Sequence, residues 1–208
     1  GAGIEVIPNG VDTVKFHPDT GRRRPFTILT VGRLIAGKDL TTVVRATAIV
    51  RERFPQTRLL VVGDGPQREG LTRTARELGI EGQVEFRSWV SWEDIDDIYR
   101  QAGVFALTSL REGMSNTVLE AMASGLPIVA SAAALSGIEA AGAVVVTPGD
   151  AREAAEAIAR YFGDEALREK ASRMSREAAD RYSWGSTARS YYDIYLRVAG
   201  KDGGARSS

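Results

Sequence analysis

Cysteine is absent from this 208-residue chain, and histidine occurs once, at His17. Without cysteine there is no disulfide, no thiolate nucleophile and no thiolate metal ligand, and the cytoplasm is the default compartment. A single histidine argues against a multi-histidine metal centre and against a Ser-His-Asp triad, so we predict no metal site. His17 itself is interpreted as a surface or turn residue.

An excess of charge and long apolar runs are also absent. The 27 basic and 27 acidic side chains cancel, so no overall field attracts nucleic acid or anionic lipid. No apolar run approaches the roughly 20 residues that a membrane-spanning helix requires. With 43% hydrophobic residues, the chain has the composition of a soluble globular domain with a substantial core. We predict neither a nucleic-acid partner nor a transmembrane segment.

Short apolar runs alternate with amphipathic stretches over the first 146 residues. The runs are rich in branched residues, as in strands buried on both faces: 27–31, 58–62, 84–86, 104–107, 127–130 and 143–146. The amphipathic stretches are 40–54, 67–78, 92–101 and 117–124. This rhythm predicts an α/β fold, a Rossmann-like parallel sheet with helices on both faces.

After Asp150 the pattern becomes wholly helical. Helices are predicted over 151–161, 165–182 and 186–198, and the last carries a dense aromatic stripe. The Gly/Ser-rich, charged tail 200–208 is predicted to be disordered. An exposed aromatic helix of this kind would favour a homodimer or poor solubility.

The segment 111–130, REGMSNTVLEAMASGLPIVA, which we call the glutamate motif, is the most informative part of the sequence. Glu112 lies in a turn-forming stretch, and Glu120 follows eight positions later on a predicted helix, 117–124. Carboxylates do not bind an anion, but at the rim of an anion site they accept hydrogen bonds from sugar hydroxyls. The alternatives are a solvated loop acid for Glu112 and a surface acid near a helix start for Glu120.

The start of the predicted helix is itself a candidate anion site. Ser115 and Asn116 are both good helix caps, so unpaired backbone N–H groups are expected around residues 115–118. These groups and the helix dipole both favour negative charge. A nucleotide diphosphate sugar has this layout, because its two phosphates lie between the hydroxyls of the ribose and those of the sugar.

The string EGMSNTVLEAMASGLPIVA resembles the E-x7-E signature of retaining GT-B glycosyltransferases, glycosyl transferases group 1. The resemblance covers about residues 4–198 and matches the family's second, C-terminal domain. It implies that residues 1–199 form a nucleotide-sugar-binding domain and that the N-terminal acceptor domain is absent from this chain. The donor would be a UDP- or GDP-sugar, no prosthetic group is implied, and the full-length enzyme would be of the hexosyltransferase type.

The same resemblance assigns roles within the glutamate motif. Glu112 would bind hydroxyls of the transferred sugar, and Glu120 would bind the ribose. The remaining contacts are at the helix start: main-chain groups of Met114, Ser115 and Asn116 near the sugar, and Thr117 near the phosphates.

A second candidate element follows the first predicted strand, where Gly32 and Arg33 precede Lys38. Gly32 allows close backbone approach, and two cations in one loop would stabilise the charge growing on a leaving diphosphate. Alone, such cations are equally typical of an ordinary surface loop. In the family this loop is a diphosphate clamp, usually with a second glycine where Asp39 stands, and we interpret Asp39 as a helix cap. The resemblance thus assigns catalysis to Arg33, Lys38 and Glu112, without a metal.

Other strand ends carry weaker signals. The turn 62–66, VGDGP, is interpreted as structural, and Asn9-Gly10 as a plain turn. After the third strand, Arg87 or nearby backbone would contact the base, whereas Trp89 is interpreted as a packing residue and Ser91 as a helix cap. The loop 132–139, AAALSGIE, departs from the paired-glycine pattern of relatives, and Glu139 is the candidate equivalent of their loop glutamate.

Three other classes stay open: a phosphorylase, a nucleotide-sugar epimerase, and a non-catalytic binding or scaffold module. The Met-Ser-Asn-Thr variant of the motif most resembles enzymes that build bacterial exopolysaccharide or surface glycans. That resemblance implies a cytoplasmic protein, with peripheral association of the full-length enzyme at the inner face of the membrane.

Overall fold

The computed structural model describes residues 4–203, and side chains over 4–199. Its sheet comprises β1 (Thr27–Val31), β2 (Arg58–Val62), β3 (Val84–Arg87), β4 (Val104–Leu107), β5 (Ile128–Ser131) and β6 (Val144–Val146). Every neighbouring pair is parallel, in the order β3-β2-β1-β4-β5-β6, which is the Rossmann strand order. The predicted α/β class is confirmed, and β1, β2 and β4 have the predicted bounds.

The α-helices are α1 (Leu40–Arg53), α2 (Arg68–Glu77), α3 (Ile95–Gln101), α4 (Asn116–Ala123), α5 (Ala151–Gly163), α6 (Glu165–Ala179) and α7 (Trp184–Gly203). On one face of the sheet α1 packs against α2 and α5, and on the other α4 packs against α3 and α6. Every residue of β4 and β5 is buried. Strands covered on both faces are apolar throughout, which is why their runs are readable in the sequence.

Several predicted helical bounds are wrong, including those of the last two helices. The helix predicted over 165–182 ends at Ala179 and is followed by a single 3₁₀ turn, Asp180–Tyr182. The last helix begins at Trp184 and continues to Gly203, so residues 200–203 do not belong to the predicted tail. Residues 204–208 lie outside the described part of the chain.

The aromatic stripe of α7 lies at the surface, with Tyr191, Tyr192 and Tyr195 each about half or more exposed. Homodimer formation through this helix stays a prediction. Within residues 4–203, no helix combines the length and the apolar character needed to cross a bilayer.

The sheet reverses its winding between β1 and β4, which are neighbours although β2 and β3 separate them in the chain. At such a switch point the loops that follow the two strands diverge, and a crevice opens at their carboxyl ends. The loop after β1 carries Lys38, and the loop after β4 carries Glu112.

Candidate functional site

Lys38 and Glu112 meet at this switch point. Lys38 ends the one-turn helix Ala36–Lys38, and its Nζ forms an ion pair with Glu112 Oε1. Only 17% and 12% of the two side chains are exposed. The two loops are also joined through the backbone, because the Leu110 N–H donates to the Gly37 carbonyl at 2.8 Å. The structure therefore brings these two candidate residues together.

Glu112 is held by a second donor that the sequence did not reveal. The fully buried Ser109 donates from Oγ to Glu112 Oε1 at 2.8 Å. Its own carbonyl accepts a 2.6 Å hydrogen bond from Ser131 Oγ, at the end of β5. Both donors reach the same carboxylate oxygen, so Oε2 is left to other partners. The available signal was a small polar residue just after an apolar strand.

Asp39 corrects one interpretation. It occupies the position before α1, but its side chain makes no capping hydrogen bond to the helix. Its backbone is left-handed, with φ 47°, a conformation that glycine adopts readily and aspartate tolerates. Its Oδ2 accepts hydrogen bonds from Thr42 Oγ1 at 2.7 Å and from the Gly149 N–H at 2.8 Å. The carboxylate therefore ties the Lys38 loop to the loop before α5.

The start of α4 also differs in detail from expectation. The helix begins at Asn116, one residue earlier than predicted, and Ser115 occupies the N-cap position. The Ser115 side chain makes no capping hydrogen bond; its Oγ instead lies 3.1 Å from Thr117 Oγ1. The first-turn N–H groups, which have no partner within the helix, are thus left without a side-chain cap. They form the positive end of the α4 dipole, a few residues from Glu112.

The amino-terminal segment braces this helix start. The Asn9 backbone N–H donates to Met114 Sδ at 3.1 Å, and Asn9 Nδ2 donates to Asn116 Oδ1 at 3.0 Å. A Cβ on the adjacent Gly10 would lie 2.4 Å from the Trp184 ring, so close packing requires glycine there. Asn9-Gly10 is therefore more than the plain turn that we predicted.

Glu120 lies in a different environment from Glu112. Its Oε2 accepts a 2.6 Å hydrogen bond from the hydroxyl of Tyr99 on α3. Burial raises the pKa of Glu120 to about 6, although the Tyr99 hydrogen bond lowers it. Among the described residues, no hydrogen bond or ion pair joins Glu120 to Lys38 or Glu112. Its predicted role at the ribose stays a prediction.

The two arginines are less engaged. Arg33 is exposed, and its guanidinium makes no ion pair or hydrogen bond with any residue that the structure describes. Arg87 Nε pairs with Glu85 Oε1 at 2.6 Å, while the Arg87 carbonyl accepts from the Gly63 N–H at 2.8 Å. The backbone of Arg87 thus reaches the carboxyl edge of the sheet. Contact of its side chain with a base stays a prediction.

The structure decides several of the weaker interpretations. A Cβ on Gly63 would lie 2.0 Å from the Gly32 carbonyl oxygen, so the 62–66 turn is explained by packing. Trp89 is 80% exposed, and its interpretation as a packing residue is wrong.

Ser91 Oγ accepts from the Asp94 N–H at 3.2 Å and so caps the turn ahead of α3. His17 is exposed, and its Nδ1 lies 3.1 Å from the Val14 carbonyl oxygen.

One concavity includes residues of the glutamate motif, and a second, larger one is lined by residues outside it. The first, of about 630 Å³, is lined by Ile7, Met114 and Leu135 together with Glu139. The Glu139 carboxylate pairs with Arg181 at 3.2 Å and is 82% exposed. The larger groove, of about 1060 Å³, includes Arg45, Arg51 and Arg152. Across residues 4–203, no group of three or more His, Cys, Asp or Glu side chains could hold a metal ion.

Comparison with known proteins places this architecture in a class. The fold matches the C-terminal domain of a glycosyl transferase group 1 family protein (LpcC) from Francisella tularensis, with TM-score 0.77 and 22% identity, over 84% of this chain and 100% of that one. It also matches Anabaena HepE in complex with UDP, with TM-score 0.82 and 21% identity, over 93% and 57% of the respective chains. The chain thus has the Rossmann-like fold of a GT-B C-terminal domain.

The sequence comparisons are more specific. Residues 13–181 match the family model described as glycosyl transferases group 1. The chain is 33% identical over 219 residues to D-inositol 3-phosphate glycosyltransferase of Corynebacterium urealyticum, covering 93% of this chain and 51% of that protein. It therefore belongs to the glycosyl transferases group 1 family. It spans about half the length of the curated relatives it matches.

Proposed function

We propose that this chain is the donor-binding half of a retaining glycosyltransferase that uses a nucleotide diphosphate sugar. The observation that carries the proposal is the meeting of Lys38 and Glu112 beside the uncapped start of α4. The Lys38 ammonium and the N–H groups of the α4 start can bind a diphosphate, and the Glu112 carboxylate can accept hydrogen bonds from the hydroxyls of the attached sugar. The relative from Anabaena, whose structure is of a complex with UDP, supports the ligand class.

The same groups would assist bond cleavage. As the bond between sugar and diphosphate breaks, negative charge gathers on the diphosphate and positive charge on the sugar ring. The negative charge would be stabilised by Lys38, the nearby Arg33 and the α4 amino end. The positive charge would be stabilised by the Glu112 carboxylate. Fixed charges and dipoles that need no reorganisation during the reaction supply several kcal/mol in other enzymes.

The Lys38–Glu112 ion pair has a consequence for ligand preference. A diphosphate would compete with Glu112 for the Lys38 ammonium. A nucleotide sugar would compensate Glu112 with sugar hydroxyls, whereas a bare nucleoside diphosphate has none to offer. Glu112 would therefore favour the intact donor over the nucleotide that remains after transfer, which assists product release.

For the whole protein we infer a second, acceptor-binding half. Because the catalytic cleft of a GT-B enzyme lies between two domains, this chain alone would bind the donor without transferring its sugar. The Met-Ser-Asn-Thr variant of the motif supports synthesis of a bacterial surface glycan or exopolysaccharide, on the cytoplasmic side of the membrane.

Isothermal titration with UDP-, GDP- and ADP-sugars tests the donor site. We expect saturable binding of one nucleotide class and no sugar transfer by the chain alone. Binding of a nucleotide sugar that Glu112→Ala leaves unchanged would favour the scaffold alternative. Absence of binding to every member of the panel would contradict the proposal.

A further inference from the structure

Tyr99 is a buried tyrosine that the proposed donor site has not yet used. It lies on α3, is 0% exposed, and its hydroxyl donates to Glu120 Oε2 at 2.6 Å. A tyrosine whose ring is buried and whose hydroxyl meets a carboxylate can set the orientation of that carboxylate. Neither the glutamate motif nor its spacing points to Tyr99.

The ring of Tyr99 is fixed by other aromatic residues. Phe16 packs edge-on against it, with centroids 5.5 Å apart and planes at 89°. Phe105 of β4 lies 6.1 Å away on a tilted plane. Phe16 and Phe105 are themselves 0% exposed. The hydroxyl is therefore presented from a rigid position, and Glu120 must orient toward it to be satisfied.

The charge environment makes this hydrogen bond matter for Glu120. Burial, the charge of Glu120 and their hydrogen bond raise the pKa of Tyr99 well above its ordinary value. Tyr99 therefore stays a donor at every physiological pH. Burial is the largest influence on the pKa of Glu120 and raises it, and Tyr99 opposes that rise. Loss of the hydroxyl would thus move the pKa of Glu120 further upward.

Every other ionisable side chain of α3 forms an ion pair of its own, and so does Arg176 of α6. The pairs are Asp96 with Lys15 and Arg100, Asp97 with Arg22 and Arg100, and Arg176 of α6 with Asp180. The neighbouring strands β4, VFAL, and β5, IVAS, carry no ionisable side chain. Tyr99 is thus the one titratable residue that acts on Glu120 within the described chain.

We propose that Tyr99 is the positioning residue for Glu120: it holds Oε2 so that Oε1 is presented to the hydroxyls of the donor's ribose. This inference rests on the proposed donor-binding function. Glu120 touches the ligand, and Tyr99 acts through Glu120 alone. Nucleotide affinity would then depend on the Tyr99 hydroxyl although that hydroxyl never contacts the ligand.

The test is a double-mutant cycle with Tyr99→Phe and Glu120→Ala, measured by titration with UDP-glucose and GDP-mannose. Phenylalanine keeps the ring packing and removes only the hydroxyl. We expect Tyr99→Phe to weaken binding by about 3- to 10-fold at pH 7 and to have no further effect in a Glu120→Ala background, which has no acceptor for the Tyr99 hydroxyl. The matched control is Tyr161→Phe, which removes another buried hydroxyl, 2.9 Å from the Gly142 carbonyl oxygen, and should leave affinity unchanged.

A pH series separates positioning from general loss of structure. The donor should bind ionised Glu120, so affinity should fall as the pH drops through about 6, the raised pKa of this residue. In Tyr99→Phe the midpoint should move to higher pH, and in Glu120→Gln the inflection should vanish. Nucleotide sugars suit this series because a free nucleoside diphosphate has a terminal phosphate that itself titrates near pH 6.

Each outcome is decisive. If the wild-type chain binds neither nucleotide sugar, the proposed function fails, and the role of Tyr99 fails with it. If the wild type binds and Tyr99→Phe matches Tyr161→Phe in affinity and midpoint, only the Tyr99 inference is overturned. Equal losses from Tyr99→Phe in the wild-type and the Glu120→Ala backgrounds would also overturn it, because they would indicate a structural effect.

Discussion

The two acids of the glutamate motif are held in opposite ways. Glu112 lies in a loop and shares one oxygen between a lysine ammonium and a serine hydroxyl. Glu120 lies on α4 and meets a single neutral donor, the Tyr99 hydroxyl. The Glu112 carboxylate is compensated by the opposite charge of Lys38. The buried Glu120 carboxylate is stabilised by the hydrogen bond from Tyr99, without an opposite charge. The same residue type, eight positions apart, thus lies in two different electrostatic environments.

The largest expected effect comes from removing the Lys38 cation, which pairs with Glu112. Lys38→Met should lower nucleotide-sugar affinity by about 10- to 100-fold, the cost of losing a hydrogen bond to a charged group. The matched control is Lys15→Met. Lys15 pairs with Asp96 at 3.0 Å and is exposed to the same 17% as Lys38. Equal affinities for the two variants in calorimetric titrations would contradict the role of Lys38.

Glu120 should make the stability of the protein depend on pH between pH 4.5 and pH 7. A carboxyl whose pKa is raised from 4.5 to about 6 binds its proton more tightly in the folded chain. Its stabilising contribution is therefore complete below pH 4.5 and is lost as the pH rises through about 6. Relative to wild type, Glu120→Gln should gain about 2 kcal/mol of unfolding free energy between pH 4.5 and pH 7.

Urea unfolding at several pH values measures this difference. Glu139→Gln is the control, because Glu139 is 82% exposed, and its curve should run parallel to that of the wild type. A parallel curve for Glu120→Gln as well would mean that Glu120 is not perturbed by burial.

A smaller change at Glu112 should weaken the preference for the nucleotide sugar over the bare nucleoside diphosphate. Glu112→Gln keeps the shape of the side chain and removes the charge that competes for Lys38. Affinity for a bare nucleoside diphosphate should rise by about 5-fold, the scale of one ion pair, while affinity for the nucleotide sugar should not rise. Competitive titration of the two ligands gives the ratio, and an unchanged ratio would contradict the exchange of partners.

The smallest expected effect comes from Ser109→Ala. It removes one of two donors on Glu112 Oε1 and leaves the lysine in place. Nucleotide-sugar affinity should fall by about 3-fold. The Ser131→Ala variant loses the bond one step further from Glu112 and serves as the comparison. A larger loss from Ser131→Ala than from Ser109→Ala would mean that loop stability, and not the orientation of Glu112, limits binding.

The sheet could be predicted because buried strands carry their own signature. Val104–Leu107 is apolar at every position and buried on both faces, so its bounds follow from composition alone. The Lys38–Glu112 convergence was also predictable, since both residues follow strands that a Rossmann order places side by side. Helix ends, such as the carboxyl end of α6, depend on weaker local preferences and were predicted less accurately.

The supporting contacts could not be predicted, because their partners are far apart in the chain. Asn9 and Asn116 are separated by 107 positions, and Tyr99 and Glu120 by 21. No periodicity encodes such pairs; packing of complete elements creates them. The prediction for Trp89 was wrong because a large aromatic residue after a strand usually packs against the core, whereas this side chain is 80% exposed. The Asp39 carboxylate likewise found partners on another loop.

The most direct test of the donor site follows backbone amide resonances of the ¹⁵N-labelled chain during titration with UDP-glucose and GDP-mannose. If the α4 amino end binds the diphosphate, the largest shifts should fall on the amides of Asn116, Thr117 and Val118, together with the Lys38 loop. Shifts confined to the groove lined by Arg45, Arg51 and Arg152, or no shifts at all, would contradict the account.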